Sequence, residues 1–333
     1  MNPLTETARI ALAPRIAVLV PCYNEGKAIA TVVRDFLAAL PTATVYVYDN
    51  NSTDDTRERA AAAGAIVRTE THRGKGNVVR RMFADIEAEV YVLVDGDGTY
   101  DAASATAMVD MLLANSLDMV NGARVPTTQL AYRPGHVFGN KLLTRTVSLI
   151  FGDRIRDMLS GFRVFSRRFV KSFPALASGF ETETELTVHA LELRLPIAEV
   201  QTPYRDRPAG SQSKLRTFRD GWRILTTIIN LMRNERPLLF FTLIGLLFIV
   251  LGVVLAMPVF LEYLDTGQVR RFPTAFLSFS LGIIAVVCFA TGLILDLVAH
   301  VRREAKKLAY LSYEAPRAEK TNARASGIRR ETG

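Results

Sequence analysis

Two apolar runs, residues 238–261 and 273–299, fill much of the last third of this 333-residue chain. The first carries no charged residue and the second carries Asp296 alone. A helix needs about 20 apolar residues to cross the hydrocarbon layer, so each run is long enough. The chain therefore divides: residues before 237 must fold in water, and residues 237–300 read as a transmembrane hairpin closed by a polar turn holding Glu262, Asp265, Arg270 and Arg271. The hydrophobic share of 49% and mean hydropathy of +0.16, high for a soluble enzyme, come from this local excess. Arg233 and Arg236 stand before the hairpin, and residues 302–333 carry nine Lys/Arg against four Glu. Positive charge beyond both outer ends places both termini in the cytoplasm. The N-terminal stretch MNPLTETARIALAPR has no long apolar core and no small-residue cleavage pattern, so it is not a signal peptide, and the first domain is expected to stay cytoplasmic. Asp296 and His300 lie near the inner end of the second span, where Asp296 is expected to reach water or to pair with Arg302 or Arg303.

Ahead of the hairpin, Phe218, Trp222, Leu225, Ile229 and Met232 recur at helical spacing, with Arg216, Arg219, Arg223 and Arg233 between them. Residues 216–236 thus predict a basic amphipathic helix, lying in the membrane interface or packed on the domain surface. Residues 301–333 form a basic tail whose polar end is expected to be disordered, and residues 1–14 form an N-terminal tail. The net charge of +8 and pI near 9.6 fit anionic membrane, phosphorylated substrates or nucleic acid. Nucleic acid is not needed, because the basic residues flank membrane segments or sit in one polar loop. The two cysteines, Cys22 and Cys288, fall in a strand end and an apolar run, which suits neither a disulfide nor zinc.

The soluble part, residues 15–215, alternates strands and helices. Strands are expected at 15–20 (closed by Pro21), 44–48, 65–68, 90–94, 118–121, 164–165 and 197–202. Helices are expected at about 27–40, 56–63, 77–88, 103–115, 138–151 and 181–194, with polar loops at 126–136 and 204–215. Alternation with short loops implies an α/β fold with a mostly parallel, doubly wound sheet. Such sheets bind ligands at the carboxyl ends of their strands, and the acidic or polar loops Asn24-Glu25, Asp49 and Asp95-Gly96-Asp97 all follow strands. Two carboxylates one residue apart at a strand end suit Mg²⁺ or Mn²⁺ carrying a diphosphate. The same Asp-Gly-Asp-Gly run could also be an acidic turn. No GxGxxG follows the first strand and no GxxxxGK[ST] occurs, which disfavours dinucleotide and P-loop binding.

Six motifs then occur in order: Pro21-Cys22-Tyr23-Asn24-Glu25, Asp49-Asn50-Asn51-Ser52-Thr53-Asp54, Arg73-Gly74-Lys75-Gly76, Asp95-Gly96-Asp97, Ser160-Gly161-Phe162, and Arg207 through Gly210 to Ser213-Lys214-Leu215. In this order, residues 15–215 resemble family 2 glycosyltransferases of the GT-A fold, in particular the polyprenyl-phosphate subgroup related to dolichol-phosphate mannose synthase. The resemblance implies a nucleotide-sugar-binding sandwich in which Pro21, Tyr23, Glu25 and Asp49 take the nucleoside. It further implies that Lys75, Asp95, Gly96, Asp97, Arg207 and Lys214 serve the diphosphate end of the donor. Asp95 and Asp97 would hold the divalent cation, Mg²⁺ or Mn²⁺. Lys75 could add charge there or be a solvated lysine at a helix start. Arg124 is the first choice for the acceptor phosphate, and with Asp97 for catalysis. Arg133 and Lys141 follow it, and Arg145 is a further candidate.

The implied reaction is inverting transfer of a sugar to undecaprenyl or dolichyl phosphate at the cytoplasmic membrane face. A phosphate acceptor is already an anion and needs no strong general base. An alternative is transfer to a hydroxyl of a lipid-linked glycan, which an essential Glu183 acting as base would favour. Glu183 would otherwise be a helix-start carboxylate. A non-catalytic membrane scaffold is a third reading, against which both metal carboxylates are present. Two departures from the family pattern stand out: Thr99 where relatives often have Gln, and Asp-Asn-Asn where they have Asp-Asp-Gly. No Gln-x-x-Arg-Trp motif occurs, which argues against a processive synthase. The sequence is compatible with a homo-oligomer but fixes no oligomeric state.

Overall fold

The computed structural model describes residues 14–126, 155–175, 181–205, 226 and 229–316. The chain divides into two compact units, residues 1–217 with 306–333, and Phe218–Ala305. The first unit runs β1 (Ile16–Cys22), α1 (Ile29–Ala39), β2 (Thr44–Asp49), α2 (Thr56–Ala62), β3 (Ile66–Thr69), α3 (Lys75–Asp85), β4 (Val90–Leu93), α4 (Ser104–Ala114), β5 (Met119–Pro126), β6 (Arg163–Ser166), α5 (Arg167–Ser172), α6 (Thr182–Glu192) and β7 (Ile197–Tyr204). The strands form one sheet in the order β3-β2-β1-β4-β6-β5-β7. β1 pairs in parallel with β2 and β4, β2 with β3, and β5 with β7, while β6 runs antiparallel to both its neighbours. The expected α/β fold with a mostly parallel sheet is what forms.

Every residue of β1, β4 and β6 is buried, as expected for strands covered on both faces. On one face, Val18, Val20, Val45, Val92 and Val164 meet Ile29, Val33 and Phe36 of α1 and Met108 and Leu112 of α4. On the other, Phe83 of α3 sits edge-on to Tyr91, Phe165 and Phe173, and Phe169 stacks on Phe165. His189 of α6 closes that aromatic cluster, 1% exposed, its Nε2 3.1 Å from Ser172 Oγ. Burial, and then the Lys306 charge, pull its pKa down to about 3, so it is a neutral core residue.

Several elements depart from the sequence expectation. β1 continues through Pro21 and Cys22, paired with Tyr48 and Asp49. The β1–β4 ladder has ended at Leu19–Leu93, so the missing proline amide falls where no partner strand waits. α3 starts at Lys75, two residues earlier than expected, because Gly74 adopts φ +123 and turns the chain directly into the helix. β5 extends to Pro126 because β7 pairs with it along its whole length, Met119–Ile197 to Pro126–Tyr204. Arg124 therefore lies inside a strand. α5 was not expected: six residues are too short for a periodicity signal, and its start is capped by Ser166 Oγ accepting from Phe169 N.

The second unit holds two long helices, α7 (Pro237–Thr266) and most of α8 (Phe272–Leu311). Both are long and apolar enough to cross a membrane, and 11% and 17% of their apolar windows are buried. They meet through small residues: a Cβ on Gly245 would lie 3.2 Å from the Ala285 carbonyl, and Ser278 Oγ donates to the Gly252 carbonyl at 2.8 Å. Gly267, at φ +67, ends α7. Arg302 pairs with Glu235 at 3.0 Å rather than with Asp296. α8 runs on as a helix beyond the expected span. From Lys306 it belongs to the first unit, where Lys306 Nζ meets Glu192 at 2.6 Å and Tyr310 OH donates to Asp118 at 2.8 Å. The expected helix at 138–151, the loops at 126–136 and 204–215 beyond their first residues, most of the 216–236 helix and the end of the tail lie outside the described residues.

Candidate active site

The carboxyl ends of β1, β2 and β4 bring three loops to one edge of the sheet. The β1 loop is laced to the β2 loop. Asn24 N donates to Ser52 Oγ at 2.8 Å, Thr53 N to Asn24 Oδ1 at 2.8 Å, Glu25 N to Thr56 Oγ1 at 2.9 Å and Gly26 N to Asp54 Oδ2 at 3.0 Å. A Cβ on Gly26 would stand 2.3 Å from Asp55 Oδ1, so a larger residue there would have to push that exposed carboxylate aside. Burial alone would raise the Asp54 pKa, but the hydroxyl and amide donors from Thr56 and Gly26 outweigh it and hold Asp54 below the usual carboxylate range. Asp49 closes β2, 2% exposed, and both its oxygens accept from Ser52 N. Tyr23 is 42% exposed beside it in the same pair of loops.

Asn50 joins this pair to the next loop. Its Nδ2 donates to the carbonyls of Glu70 and His72, both at 2.8 Å, and its Oδ1 accepts from Gly74 N at 2.8 Å. An amide can donate and accept at once where a carboxylate could only accept. The Asp-Asn-Asn departure is thus explained by backbone clamping of the segment that delivers Lys75.

β4 delivers Asp95 and Asp97. Asp97 is 5% exposed, and its Oδ1 accepts from Thr99 Oγ1 at 2.7 Å and Thr99 N at 3.2 Å. Thr99, unassigned by sequence, therefore steadies Asp97. Asp95 Oδ1 lies 2.5 Å from Lys75 Nζ, which is also 2.5 Å from Glu183 Oε1 at the start of α6. Burial acts to strip the Lys75 proton, but the Asp95 and Glu183 charges override it and raise its pKa above the ordinary lysine value. Lys75 is thus a buried, paired cation rather than a solvated helix-start lysine. Gly96 packs on Cys22, whose Sγ would be 2.5 Å from an added Cβ. Burial first, and then the surrounding carboxylates Glu25, Asp49, Asp95 and Asp97, push the Cys22 thiol pKa well up.

The antiparallel course of β6 brings Ser160-Gly161-Phe162 to the same edge. A Cβ on Gly161 would fall 2.3 Å from Asp95 Oδ2, and Gly161 N donates to Tyr100 OH at 2.8 Å. Arg163, fully buried, supports this turn from below. It donates to the carbonyls of Met158 at 2.6 Å and Ser160 at 3.0 Å, and to Thr187 Oγ1 at 2.8 Å. Burial brings its pKa down to about 10. Arg124 forms a two-point ion pair with Asp157, Nε to Oδ2 at 2.7 Å and Nη2 to Oδ1 at 2.8 Å, beneath the Tyr204 ring. Asp157 and Tyr204 carry no sequence signal for this: Tyr204 comes to Arg124 through the β5–β7 pairing, and Asp157 from the turn ahead of β6, which pairs with the other side of β5. Arg205 N donates to the Thr99 carbonyl at 2.8 Å, stitching the end of β7 to the Asp97 loop.

Of the residues named from sequence, Pro21, Tyr23, Glu25, Asp49, Lys75, Asp95, Gly96 and Asp97 lie at this sheet edge, and Arg124 lies in β5 with Asp157. Arg133, Lys141, Arg145, Arg207 and Lys214 lie outside the described residues.

Comparison with known proteins gives four findings. Residues 17–173 match the family described as Glycosyl transferase family 2. Glycosyltransferase AglJ of Haloferax volcanii is 34% identical over 298 residues, 88% of this chain and 96% of AglJ. Protein RfbJ of Shigella flexneri is 57% identical over 122 residues, 36% of this chain and 95% of RfbJ. Among solved structures, glucosyl-3-phosphoglycerate synthase of Mycobacterium tuberculosis, in complex with Mn²⁺, UDP and phosphoglyceric acid, shares the fold at TM-score 0.54 and 22% identity. That match covers 69% of this chain and 81% of that one.

Proposed function

The chain belongs to glycosyltransferase family 2, and from that premise we propose that it transfers a sugar from a nucleotide-sugar to a polyprenyl phosphate at the cytoplasmic membrane face. The observation that carries the acceptor is the joining, in one chain, of this site to two helices whose apolar surface is mostly uncovered. Such helices hold a catalytic domain at headgroup level, where a lipid phosphate sits.

The donor reading rests on the laced β1 and β2 loops. Asp49 can accept from a ring N–H of the base, with Tyr23, Glu25 and Pro21 around it. Asp95 and Asp97 are hard oxygen donors suited to Mg²⁺ or Mn²⁺. Among the described residues no group of three or more His, Cys, Asp or Glu assembles for an ion, so diphosphate oxygens and water would complete the shell. When bound, the ion supplies a Lewis acid that offsets charge on the departing nucleoside diphosphate. Thr99 donates to Asp97, and the missing side chain of Gly161 leaves space for Asp95.

The acceptor phosphate is an anion, so positioning cations suffice; a single in-line displacement, as the family resemblance implies, would invert the anomeric centre. Asp157 takes Nε and Nη2 of Arg124, which leaves Nη1 and the second Nη2 hydrogen for that phosphate. Arg133 and Lys141 are further acceptor cations, and Arg207 and Lys214 belong to the loop that begins at the Arg205–Thr99 stitch. Transfer to a hydroxyl acceptor is favoured by one observation: Glu183, which shares Lys75 with Asp95, has a buried Oε2 with no hydrogen-bond partner among the described residues, a place for a general base.

The test incubates membranes holding the full chain with Mn²⁺, undecaprenyl phosphate and a panel of nucleotide-sugars. The expected product is an extractable glycolipid that excess EDTA suppresses and added Mn²⁺ restores. Asp97→Ala should abolish it without affecting membrane insertion. Sugar appearing on a lipid-linked glycan hydroxyl, with none on undecaprenyl phosphate for any donor, would replace this reading with the hydroxyl one.

A further inference from the structure

Lys75 is placed between two carboxylates that come from distant parts of the chain. Its ammonium lies 2.5 Å from Asp95 Oδ1 and 2.5 Å from Glu183 Oε1. The Lys75 and Glu183 side chains are 10% and 7% exposed, against 31% for Asp95. Asp95 is thus the more accessible of the lysine's two partners and Glu183 the more enclosed. The second oxygen of Glu183, Oε2, is buried with no hydrogen-bond partner among the described residues. A buried carboxylate oxygen ordinarily takes a donor, so this one calls for an explanation. A Cβ on Gly161 would fall 2.3 Å from Asp95 Oδ2, so the glycine leaves this carboxylate the room it occupies beside the lysine.

A divalent ion on Asp95 and an ammonium on the same carboxylate are like charges a few ångströms apart, and at that range their repulsion is large. One must yield. We propose that Lys75 is a resident cation that holds Asp95 in place before the divalent ion arrives, and that Glu183 receives the ammonium when Asp95 releases it. The unpartnered Oε2 then completes a two-oxygen grip. The buried orphan oxygen and the doubly bound lysine become two halves of one device, in which Lys75 and Glu183 together set the affinity of the metal site. The inference rests on the reading of Asp95 and Asp97 as metal ligands.

Mn²⁺ binding to the full chain in detergent, without nucleotide, tests it by the electron paramagnetic resonance signal of unbound Mn²⁺. Lys75→Met removes the competing cation and should tighten Mn²⁺ about tenfold, whereas Glu183→Gln weakens the receiver, keeps the lysine on Asp95 and should loosen Mn²⁺ about tenfold. The double variant should bind at least as tightly as wild type, because no ammonium is left to compete. The opposite signs of the single variants are the signature. If Lys75→Met melts and cannot be measured, the double variant against Glu183→Gln gives the same comparison. Unchanged or weaker binding in Lys75→Met, or a double variant no tighter than Glu183→Gln, would overturn the proposal. Wild-type protein that takes up no Mn²⁺, equal to an Asp97→Asn control, would instead remove the metal reading beneath it.

Discussion

Gly161→Ala isolates how strictly the fold places Asp95. Gly161 is not among the residues at positive φ, so alanine meets no backbone strain there and the effect is steric. The added methyl would lie 2.3 Å from Asp95 Oδ2 and 2.8 Å from its Cγ. Reaching ordinary contact moves the carboxylate by about 1 Å, and a displacement of that size at a positioning group costs roughly 100-fold in rate. Stability should suffer much less. The obstructing atoms are the end of a side chain that can rotate, which puts the cost near the low end of overpacking, about 1 kcal/mol. The assay is Mn²⁺-dependent sugar transfer with the donor identified by the panel, alongside a thermal melt of the same preparation. A near-native melt with a rate down by two orders of magnitude is expected. A rate within about threefold of wild type would refute the claim that Gly161 sets the Asp95 position.

Three further outcomes follow from the same geometry. Thr99→Val keeps the shape but removes the hydroxyl that donates to Asp97 at 2.7 Å; a hydrogen bond to a charged group is worth about 1.5–3 kcal/mol, so transfer should fall at least about tenfold, read as kcat/KM for the donor. Asn50→Ala deletes three side-chain hydrogen bonds to the loop that delivers Lys75, and should cost about 2–3 kcal/mol by urea unfolding while raising donor KM. His189 has its pKa pulled from 6.5 to about 3, so as pH falls the unfolded chain takes the proton first. Its contribution is complete above about pH 6.5 and is lost progressively toward pH 3, at up to about 1.4 kcal/mol per pH unit. Melting temperature in His189→Gln should therefore fall less steeply than wild type between pH 6.5 and 5, and equal slopes would show that His189 is not the group responsible.

Local chemistry was legible in the sequence. β-branched runs such as Val90-Tyr91-Val92 ending in Asp-Gly-Asp specify a buried strand and a carboxylate-bearing loop from neighbours alone, and apolar length alone specifies α7 and the apolar part of α8. The carboxyl-edge placement of Glu25, Asp49 and Asp95 then follows from strand–helix alternation. What the sequence left undecided are contacts fixed by non-local pairing. Glu183 reaches Lys75 across 108 positions, and Asp157 reaches Arg124 from the turn ahead of β6, which pairs with β5 and whose Asp157 carbonyl accepts from Asn121 Nδ2. Gly161 abuts Asp95 because β6 enters the sheet reversed, between β4 and β5. No periodicity encodes such meetings, since each depends on where the sheet places strands far apart in the chain. The sequence alone thus singled out the side chains proposed to bind a nucleotide-sugar and an ion. The tertiary structure decided which of them are already paired: Lys75 with Asp95 and Glu183, and Arg124 with Asp157. Burial at the sheet edge makes those charges seek each other rather than water.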